Sequence, residues 1–600
     1  MIAPAMKGRF SCATVFALGL AVALVRSYYP QRQVLAWDVF GYYLYLPAAF
    51  IHNDIALRDR TWTDRVMTTY APSSTFYQLV DGSDGARVIR YGSGMAMLYA
   101  PFFAVAHLLA EPLGFPADGF SPPYQVAVTL GCLAIAWLGL LVLRAVLLRF
   151  FDDRWTAVLL LLIGLGTNWF QLTAWDGTLL SHSALFTLYA LLLFTTIHWH
   201  ERPTRMMALG IGVVLGLITL VRPSELVAVS IPVLWGVAGP DAQRSKWRMV
   251  RAHVPHLVMA AIAFALVVAP QLLYWRLTAG QWLFYSYVNP GEGLDLATPH
   301  LRPFLISFRK GWFVYTPLMM FAILGLATLR KRLPQAFWSV LIFLVVDVWI
   351  VSSWSCWWYA GGSFSARAMV PAYPVLALPL GTFLQWAWRW RGWRMPVVLA
   401  GVGFVALNLF QTWQWTAGII SKERMTKAYY KAVFGRTHMP VGADTLLLVQ
   451  RPLGNEERFT DERRYRAQEV FRADHADHPD GVFTLTDTIL YTPAFETTFE
   501  GLTAKDHVWI RPSMRFWVGD GTSAVPTMVV HFEHEGGTYK YMAREPVVPA
   551  GVRDAWVSFT MDYITPEVRA RHDKVKVYLW NRYGATLRVD DLVVLVFEPR

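Results

Sequence analysis

A single carboxylate in an unusual setting stands near the start of the chain. Asp38 lies about ten residues past the first long apolar segment, between Trp37 and an aromatic stretch that includes Tyr42–Tyr43. An acid beside a membrane span is costly unless it is hydrated, paired or functional. As a functional group it would be a general base or a metal ligand; as a structural one it would cap a helix that begins near Val39. Its aromatic neighbours and the long loop that follows favour a functional role.

Five basic residues fall at the ends of apolar segments, on the side opposite to most of the chain's cations: Arg222, Arg302, Arg309, Lys310 and Arg367. Any one of them could extend its charged end along the membrane surface, and Arg222 could form a structural salt bridge with Glu225. As a group they indicate an anionic ligand such as a phosphate. The pair Gly361-Gly362 near Arg367 permits a close backbone approach.

Other residues on the same side are candidates for substrate contact. Asp176 and His182 flank one short turn, where the histidine has either a structural or a catalytic role. Trp358 and its neighbouring tryptophans are either interface anchors or a platform for a sugar or a prenyl chain. The three cysteines are far apart, and no P-loop, dinucleotide fingerprint, serine elbow or zinc motif is present.

The composition places the chain among multi-pass membrane proteins. Of its 600 residues 55% are hydrophobic and 16% are charged, whereas soluble domains contain about 25% charged residues. The net charge of +12 is compatible with nucleic-acid binding, but many of the Lys and Arg lie in short loops between apolar runs. Membrane topology accounts for that pattern, so we expect no nucleic-acid partner.

Eleven segments are long enough to be transmembrane helices at about 20 residues each. If all cross, the basic loops fall on one side, which is cytoplasmic, and the C-terminal region lies outside. We therefore expect a protein of the inner (cytoplasmic) membrane with a cytoplasmic N-terminus. The segments are residues 9–27, 124–148, 155–172, 181–199, 206–221, 223–239, 254–275, 311–329, 335–353, 367–388 and 395–417.

Two apolar segments admit a second interpretation. The first could be a cleaved signal peptide, but an uncleaved anchor fits the charge pattern better. Residues 93–110 are also long enough to cross, yet crossing would turn the basic residues at 144–154 outward. We interpret them as a juxtamembrane helix within one long outer loop, 27–123. The alternative is that they cross and that the tight pair 206–221 and 223–239 does not.

The C-terminal quarter has a different pattern. Residues 420–435 are typical of a basic amphipathic helix at the membrane surface. Beyond about residue 445, apolar and polar residues alternate in short runs separated by Gly, Asp and Asn, which predicts a β-sandwich. The predicted organisation is a membrane domain at 1–420, a linker at 421–444 and a sandwich at 445–600. The predicted strands contain 482–486, 508–511, 528–532, 556–559, 575–580 and 592–596.

Over about residues 10–420 the chain resembles the GT-C superfamily of membrane glycosyltransferases, which includes protein O-mannosyltransferases and aminoarabinose transferases. The resemblance rests on short motifs in a characteristic order: Trp37-Asp38, Tyr91-Gly92-Ser93-Gly94, Leu98 to Phe103, Leu220-Val221-Arg222-Pro223, Arg309-Lys310-Gly311, Tyr315-Thr316-Pro317, and Gly361 to Phe364 with Arg367. The family's familiar acid pair is absent, because Val39 follows Asp38. The strands, with Trp580-Asn581 and Asp590-Asp591-Leu592, resemble a carbohydrate-binding jelly roll.

The resemblance implies transfer of a sugar from a polyprenyl-phosphate donor to an acceptor hydroxyl, with inversion, at the outer face of the membrane. Asp38 would take the acceptor proton, while Lys310, Arg367 and Arg222 would stabilise the departing phosphate. The acceptor is a glycan, a lipid or a protein, and a divalent metal is compatible with the family but not indicated. Two other classes compete: a lipid-linked sugar flippase, for which Asp347 is the main acid in mid-span, and a non-catalytic membrane protein that binds glycans.

Overall fold

The computed structural model describes residues 8–29, 33–175, 177–287, 293–451, 459, 462–473, 482–519 and 524–600. It forms two compact units, a helical one that ends at Leu447 and a β-rich one that begins at Leu448. The predicted fold class, a multi-pass helical protein with a C-terminal β-sandwich, is confirmed. The candidate residue Asp176 lies outside the described residues.

The helical unit contains twenty α-helices among the described residues. They are α1 (Arg9–Tyr28), α2 (Asp38–Tyr43), α3 (Tyr45–Phe50), α4 (Arg60–Tyr70), α5 (Gly94–Ala110), α6 (Pro122–Leu147), α7 (Asp153–Leu165), α8 (Trp169–Ala174), α9 (Ser181–Glu201), α10 (Arg205–Val221), α11 (Ser230–Leu234), α12 (Pro240–Ala252), α13 (Val254–Ala279), α14 (Leu301–Ile306), α15 (Trp312–Tyr315), α16 (Leu318–Arg332), α17 (Pro334–Ser352), α18 (Tyr373–Arg389), α19 (Arg391–Thr416) and α20 (Lys427–Val433).

Seven helical segments among the described residues are long and apolar enough to cross a membrane, so the chain is a multi-pass membrane protein. They are Arg9–Tyr28, Gly94–Leu113, Pro122–Leu147, Val254–Ala279, Pro334–Ser352, Arg367–Arg389 and Arg391–Thr416. Six of them coincide with predicted segments. Of the other five, 181–199 is one continuous helix, α9, and 206–221 is the 17-residue α10. The remaining three segments are broken or short. Residues 155–172 divide into α7 and α8, and residues 223–239 are helical only to Leu234. Residues 311–329 begin with a single separate helical turn, α15.

The ends of α5 show how residues 93–110 lie. Helices α6 and α9 run parallel, since Thr187 bonds to the Ile135 carbonyl and Arg149 pairs with Glu201 at their C-terminal ends. The short turn after α9 makes α10 antiparallel to both. The start of α5 packs on the end of α10, and the end of α5 packs on the start of α6, where His107 meets Tyr124. The start of α5 therefore lies at the end of α10, and its second half runs along the first half of α6, where Phe102 packs on Gly131. The segment is one of those long and apolar enough to cross, so the juxtamembrane interpretation stays a prediction.

The first loop folds against the end of the bundle where α10 ends, which we call the site end. Its short helices α2, α3 and α4 are followed by a β-hairpin of β1 (Leu79–Asp81) and β2 (Arg87–Ile89), with Leu79 opposite Ile89. Gly92 and Gly94 lie against the Leu220–Val221 backbone of α10, where a Cβ atom would come within 2.4 Å of a backbone atom. These glycines allow the loop to be fixed directly to the bundle.

The β-rich unit consists of two antiparallel sheets with an apolar core between them. The larger sheet has the order β10-β6-β12-β3, with β9 also paired to β6 and β4 to β12; the smaller has the order β5-β11-β7-β8. One helical turn, α21 (Phe499–Leu502), follows β5. The strands are β3 (Tyr465–Arg472), β4 (Phe483–Leu485), β5 (Phe495–Thr498), β6 (Trp509–Val518), β7 (Thr527–His534), β8 (Gly537–Arg544), β9 (Ala555–Thr560), β10 (Tyr563–Ile564), β11 (Lys574–Trp580) and β12 (Leu587–Pro599).

All six predicted strands are present, whereas the predicted amphipathic helix at 420–435 is wrong in extent. Only Lys427–Val433 is helical, because Thr426 caps the helix at its start, accepting from the Tyr429 amide. The motif Asp590-Asp591 is engaged on the larger sheet, where both carboxylates pair with Arg515 at 2.8 and 2.6 Å. That pairing gives Asp590 and Asp591 a structural role.

Candidate active site

The backbone that carries Asp38 is held in an uncommon conformation. Trp37, at the start of α2, has φ +55° and ψ −127°, a region in which a non-glycine residue is strained. Its amide donates to the Pro72 carbonyl at 2.9 Å, and its carbonyl accepts from the Gln78 side chain at 3.1 Å. Asp38 thus begins the helix without capping it, since its side chain bonds elsewhere.

Two tyrosines hold one oxygen of the Asp38 carboxylate. The hydroxyls of Tyr77 and Tyr91 donate to Oδ1 at 2.9 and 2.8 Å. These residues are opposite each other because each lies two residues beyond the paired hairpin ends, Leu79 and Ile89. Burial, followed by the charge of Asp38, raises the pKa of Tyr77, so its hydroxyl remains a donor at neutral pH.

The second oxygen of Asp38 faces a cation. Arg367 Nη2 lies 3.7 Å from Asp38 Oδ2, and the arginine side chain is 12% exposed. Its Nε is buried without a hydrogen-bond partner among the described residues. Such a donor is costly to leave unsatisfied, which is a reason to expect an anionic or hydroxyl-bearing ligand beside it.

The turn before Arg367 is held by two polar side chains, one in α8 and one just before it. The Gln171 side chain donates to the Gly362 carbonyl at 3.2 Å, and Asn168 donates to the Ser363 hydroxyl, also at 3.2 Å. Gly362 has φ +66°, and a Cβ at this position would lie 2.5 Å from Arg367 Nη1. The glycine therefore allows the guanidinium to fold back over the turn.

Lys310 is buried beneath the same turn. Its ammonium donates to the carbonyls of Tyr359 and Gly361 at 3.2 and 3.0 Å, and the residue is 2% exposed. Burial, assisted by the nearby charge of Arg367, lowers the pKa of Lys310 to about 7. An anion that binds beside Lys310 would stabilise the charged form of its ammonium group.

Arg222 belongs to a network that includes Glu225, its predicted salt-bridge partner, and His182. Its guanidinium lies 3.4 Å from His182 Nδ1, 3.6 Å from Glu225 Oε1, and over the Tyr359 ring at 5.5 Å. Asp347 is buried close to Arg222 and Glu225. This acid is therefore part of a buried charge network, which accounts for it without a transport pathway.

Two other predicted residues lie together at the edge of this arrangement. The Arg309 guanidinium stacks on the Trp358 ring at 3.7 Å and donates to the Glu423 carbonyl at 2.7 Å. Trp358 is thus engaged by a cation, and its role as an interface anchor or as a platform for a sugar or a prenyl chain stays a prediction. Arg302 is exposed on α14.

The structure brings most of the predicted residues into one contact network. Asp38 contacts Tyr91 and Arg367, Arg367 acts electrostatically on both Lys310 and His182, and His182 contacts Arg222. Tyr77 was missed, although it lies as many residues before the hairpin turn, 82–86, as Tyr91 lies after it, and this spacing could have revealed it. The result is a carboxylate beside one arginine, Arg367, which is linked in turn to Lys310 and His182. This arrangement is suited to proton abstraction beside an anionic leaving group.

The donors around Asp38 do not fit a divalent metal. Mg²⁺ and Ca²⁺ require several oxygen ligands, whereas the described neighbours of this carboxylate are two phenol donors and a guanidinium. Among the described residues, one His and carboxylate group is compact enough for a metal: His534, His572 and Asp573 in the β-sandwich. There Asp573 accepts from Tyr539 at 2.7 Å and lies 2.6 Å from His534, which serves to satisfy a buried acid.

Removing the Tyr91 hydroxyl tests the carboxylate clamp. We expect Tyr91→Phe to lower the rate of the reaction that Asp38 serves by about 10- to 100-fold, because a hydrogen bond to a charged group contributes about 1.5–3 kcal/mol. Tyr70→Phe is the matched control, since Tyr70 is in the same loop but donates to Asp118. Equal activity of the two variants would show that the clamp is structural.

Comparisons with known proteins give one distant structural likeness. No protein-family model matches the chain, and no curated protein matches it. The fold is similar to that of the archaeal oligosaccharyltransferase AglB from Archaeoglobus fulgidus, solved with an inhibitory peptide and a dolichol-phosphate, with a TM-score of 0.40 and 13% identity. The alignment covers 76% of this chain and 61% of the archaeal chain, so the chain spans about six-tenths of that protein's length.

Proposed function

We propose that this protein is a membrane glycosyltransferase that moves a sugar from a polyprenyl-phosphate donor to an acceptor hydroxyl. The observation that carries the proposal is the 3.7 Å approach of Arg367 to Asp38 within a cluster of cations, at one end of an apolar bundle. A base and an anion-binding group lie side by side there, as this reaction requires. The apolar helices would accommodate the prenyl chain.

In the proposed reaction the acceptor hydroxyl approaches Asp38 and gives it a proton. The hydroxyl oxygen forms a bond to the anomeric carbon as the bond from that carbon to the phosphate oxygen breaks. The electron pair stays with the lipid phosphate, whose added negative charge is stabilised by Arg367, Lys310 and Arg222. Attack opposite to the leaving group inverts the anomeric configuration.

The remaining predicted residues have supporting roles in this proposal. His182 would help to orient Arg222, which it contacts at 3.4 Å. Arg309 and Trp358 would line the approach of the lipid phosphate. We propose that the site end faces the outside of the cytoplasmic membrane, because the opposite end carries basic loops such as that around Arg149 and Arg154.

A transfer assay tests the proposal directly. The full-length protein in lipid nanodiscs is supplied with radiolabelled polyprenyl-phosphate sugars and a panel of glycan, lipid and peptide acceptors. We expect label in an acceptor and release of polyprenyl phosphate in equal amounts, with the opposite anomeric configuration by NMR. Movement of the intact donor between leaflets without cleavage would instead support a flippase.

The buried lysine predicts a characteristic pH dependence. Because the pKa of Lys310 lies at about 7 in the free protein, its charge is present below that pH and lost above it. We expect kcat/KM to fall as the pH rises through about 7 to 8, since the leaving phosphate then loses one cation.

Two variants separate this effect from other titrating groups. Lys310→Arg keeps its charge and should remove the alkaline fall near neutrality, whereas Lys310→Gln should be slow at every pH. An unchanged alkaline fall in both variants would assign it to a different group.

A further inference from the structure

One surface of the β-sandwich carries a continuous row of rings. Trp580 and Tyr491 are stacked at 6.4 Å with 17° between their planes, and Tyr491 lies 5.6 Å from Tyr578. The row continues from Tyr578 to His531 at 5.5 Å and from His531 to Tyr541 at 6.4 Å. We call these five residues the aromatic face.

Strand pairing places these side chains on the outer side of the smaller sheet. Tyr578 and Trp580 alternate along β11 with Val577 and Leu579, which lie in the core. His531 of β7 is directly opposite Tyr541 of β8. The face is therefore a consequence of the period-two alternation of these strands.

The rings at the two sides of the aromatic face are exposed, and the residues between them are buried. Tyr491 and Tyr541 are 52% and 51% exposed. Val529, which follows the outward alternation of β7 and pairs with Tyr578, is fully buried beneath the neighbouring side chains. Exposed rings on a closely packed base form an apolar surface on which a ligand can lie.

An unsatisfied polar atom lies beneath these rings. His531 is 7% exposed, and its Nε2 lies 3.0 Å from the Glu533 carboxylate, to which it donates. Its Nδ1 is buried and has no hydrogen-bond partner among the described residues. In the tautomer fixed by Glu533, Nδ1 is an acceptor, so it would take a hydrogen bond from a ligand hydroxyl that displaces the rings covering it.

The two acids beside the aromatic face are already paired with cations. Glu533 accepts from Lys576 at 3.1 Å, and Arg582 lies 3.9 Å from Glu545, which also accepts from Tyr583 at 3.2 Å. A ligand here meets no unpaired carboxylate of Glu533 or Glu545. The face therefore fits a neutral molecule with many hydroxyls and with apolar surfaces that can lie on rings.

The larger sheet offers an internal contrast. Its outward pair, Trp517 and Trp556, is covered by the guanidiniums of Arg588 and Arg515 at 6.0 and 5.5 Å. Those rings are engaged by cations of the same unit. On the smaller sheet Arg582 lies over the Trp580 ring at 5.8 Å in the same way, so the open rings there are those of Tyr491 and Tyr541, which are 52% and 51% exposed.

We propose that the aromatic face binds a neutral oligosaccharide of two or more sugar units. The sugar rings lie on the aromatic rings of Tyr491, Tyr578 and Tyr541, and a hydroxyl donates to His531 Nδ1. The inference rests on the β-sandwich alone and stands whether or not Asp38 is a catalytic base.

The test uses the full-length protein in lipid nanodiscs, because alkyl-glycoside detergents would compete. Neutral gluco-, manno-, galacto- and arabino-hexasaccharides are titrated by calorimetry, with oligogalacturonate as the acidic comparison. We expect at least one neutral hexasaccharide to bind, and Tyr491→Ala and Tyr541→Ala each to weaken its binding by about tenfold or more. Trp556→Ala, on the larger sheet, is the matched control and should bind as the unmodified protein does.

His531→Ala adds a second measurement, because it should reduce affinity for the hexasaccharide while leaving the exposed rings in place. Asp38→Asn should bind the same hexasaccharide normally even if it is inactive in transfer, which distinguishes this inference from the proposed reaction. Three results would overturn the inference. The first is binding of the acidic oligosaccharide alone, and the second is equal hexasaccharide binding by Tyr541→Ala and the unmodified protein. The third is an absence of glycan binding together with a dimer that Tyr541→Ala disrupts.

Discussion

Asp38→Asn is expected to lower the rate of sugar transfer by about 10²–10⁴-fold, the usual contribution of a general base. The amide occupies nearly the same volume and its oxygen still accepts from Tyr77 and Tyr91, but it cannot take the proton of the acceptor hydroxyl. Donor binding should change little, so the loss should be in kcat. The measurement is single-turnover transfer from a labelled polyprenyl-phosphate sugar.

Folding of this variant needs a separate readout. The melting temperature in nanodiscs should stay close to that of the unmodified protein, because the hydrogen bonds of the clamp are retained. Asp38→Glu keeps the acid but moves it by one methylene, and we expect partial activity. Full activity of Asp38→Asn with a normal melting temperature would remove Asp38 from the role of base.

The second large effect is expected at Arg367. Arg367→Gln should lower kcat by about 10²–10³-fold, comparable to the loss of one preorganised donor in other active sites. The reason is that, in the proposed reaction, the guanidinium would stabilise charge that grows on the phosphate only as the bond breaks. The measurement is kcat and KM with donors whose leaving phosphates differ in basicity, since the variant should depend more steeply on the leaving group.

Arg302→Gln is the matched control for Arg367→Gln. Arg302 is a cation near the same end of the bundle, but it is exposed on α14 and contacts none of the site residues. Its replacement should leave kcat within about twofold of the original, as for most surface substitutions. Equal losses in both variants would indicate a general effect of net charge on donor binding.

The division of the chain into a helical part and a β-rich part was predictable from the sequence, because the period of the hydrophobic pattern and the composition both change near residue 445. The strands containing Val508–Arg511, Met528–Phe532 and Val575–Trp580 were predicted from alternation alone. Strand β8 was not, since most of its residues are exposed and its polar residues conceal the pattern. Broken helices such as α7–α8 were also missed, because hydropathy does not record where polar side chains interrupt a span.

The sequence predicted which residues belong to the candidate site better than it predicted the contacts between them. Asp38, Arg222, Lys310 and Arg367 were identified by their charge and their place relative to the spans. That Asp38 touches Arg367 could not be derived, because the two lie in segments far apart in the chain whose packing is a tertiary property. Tyr77 was accessible in principle, since a hairpin register follows from its turn.

The hydrogen bonds at Asp38 are unevenly shared between its two oxygens. Both tyrosines donate to Oδ1, whereas Oδ2 lies 3.7 Å from Arg367 Nη2, so in the proposed reaction Oδ2 would receive the proton beside that guanidinium. A base that works through one oxygen, with its lone pairs fixed in direction by the hairpin, accepts a hydroxyl along one line of approach. An acceptor sugar with several hydroxyls would then present a single one to the donor, so the hairpin would determine the regiochemistry of the linkage formed.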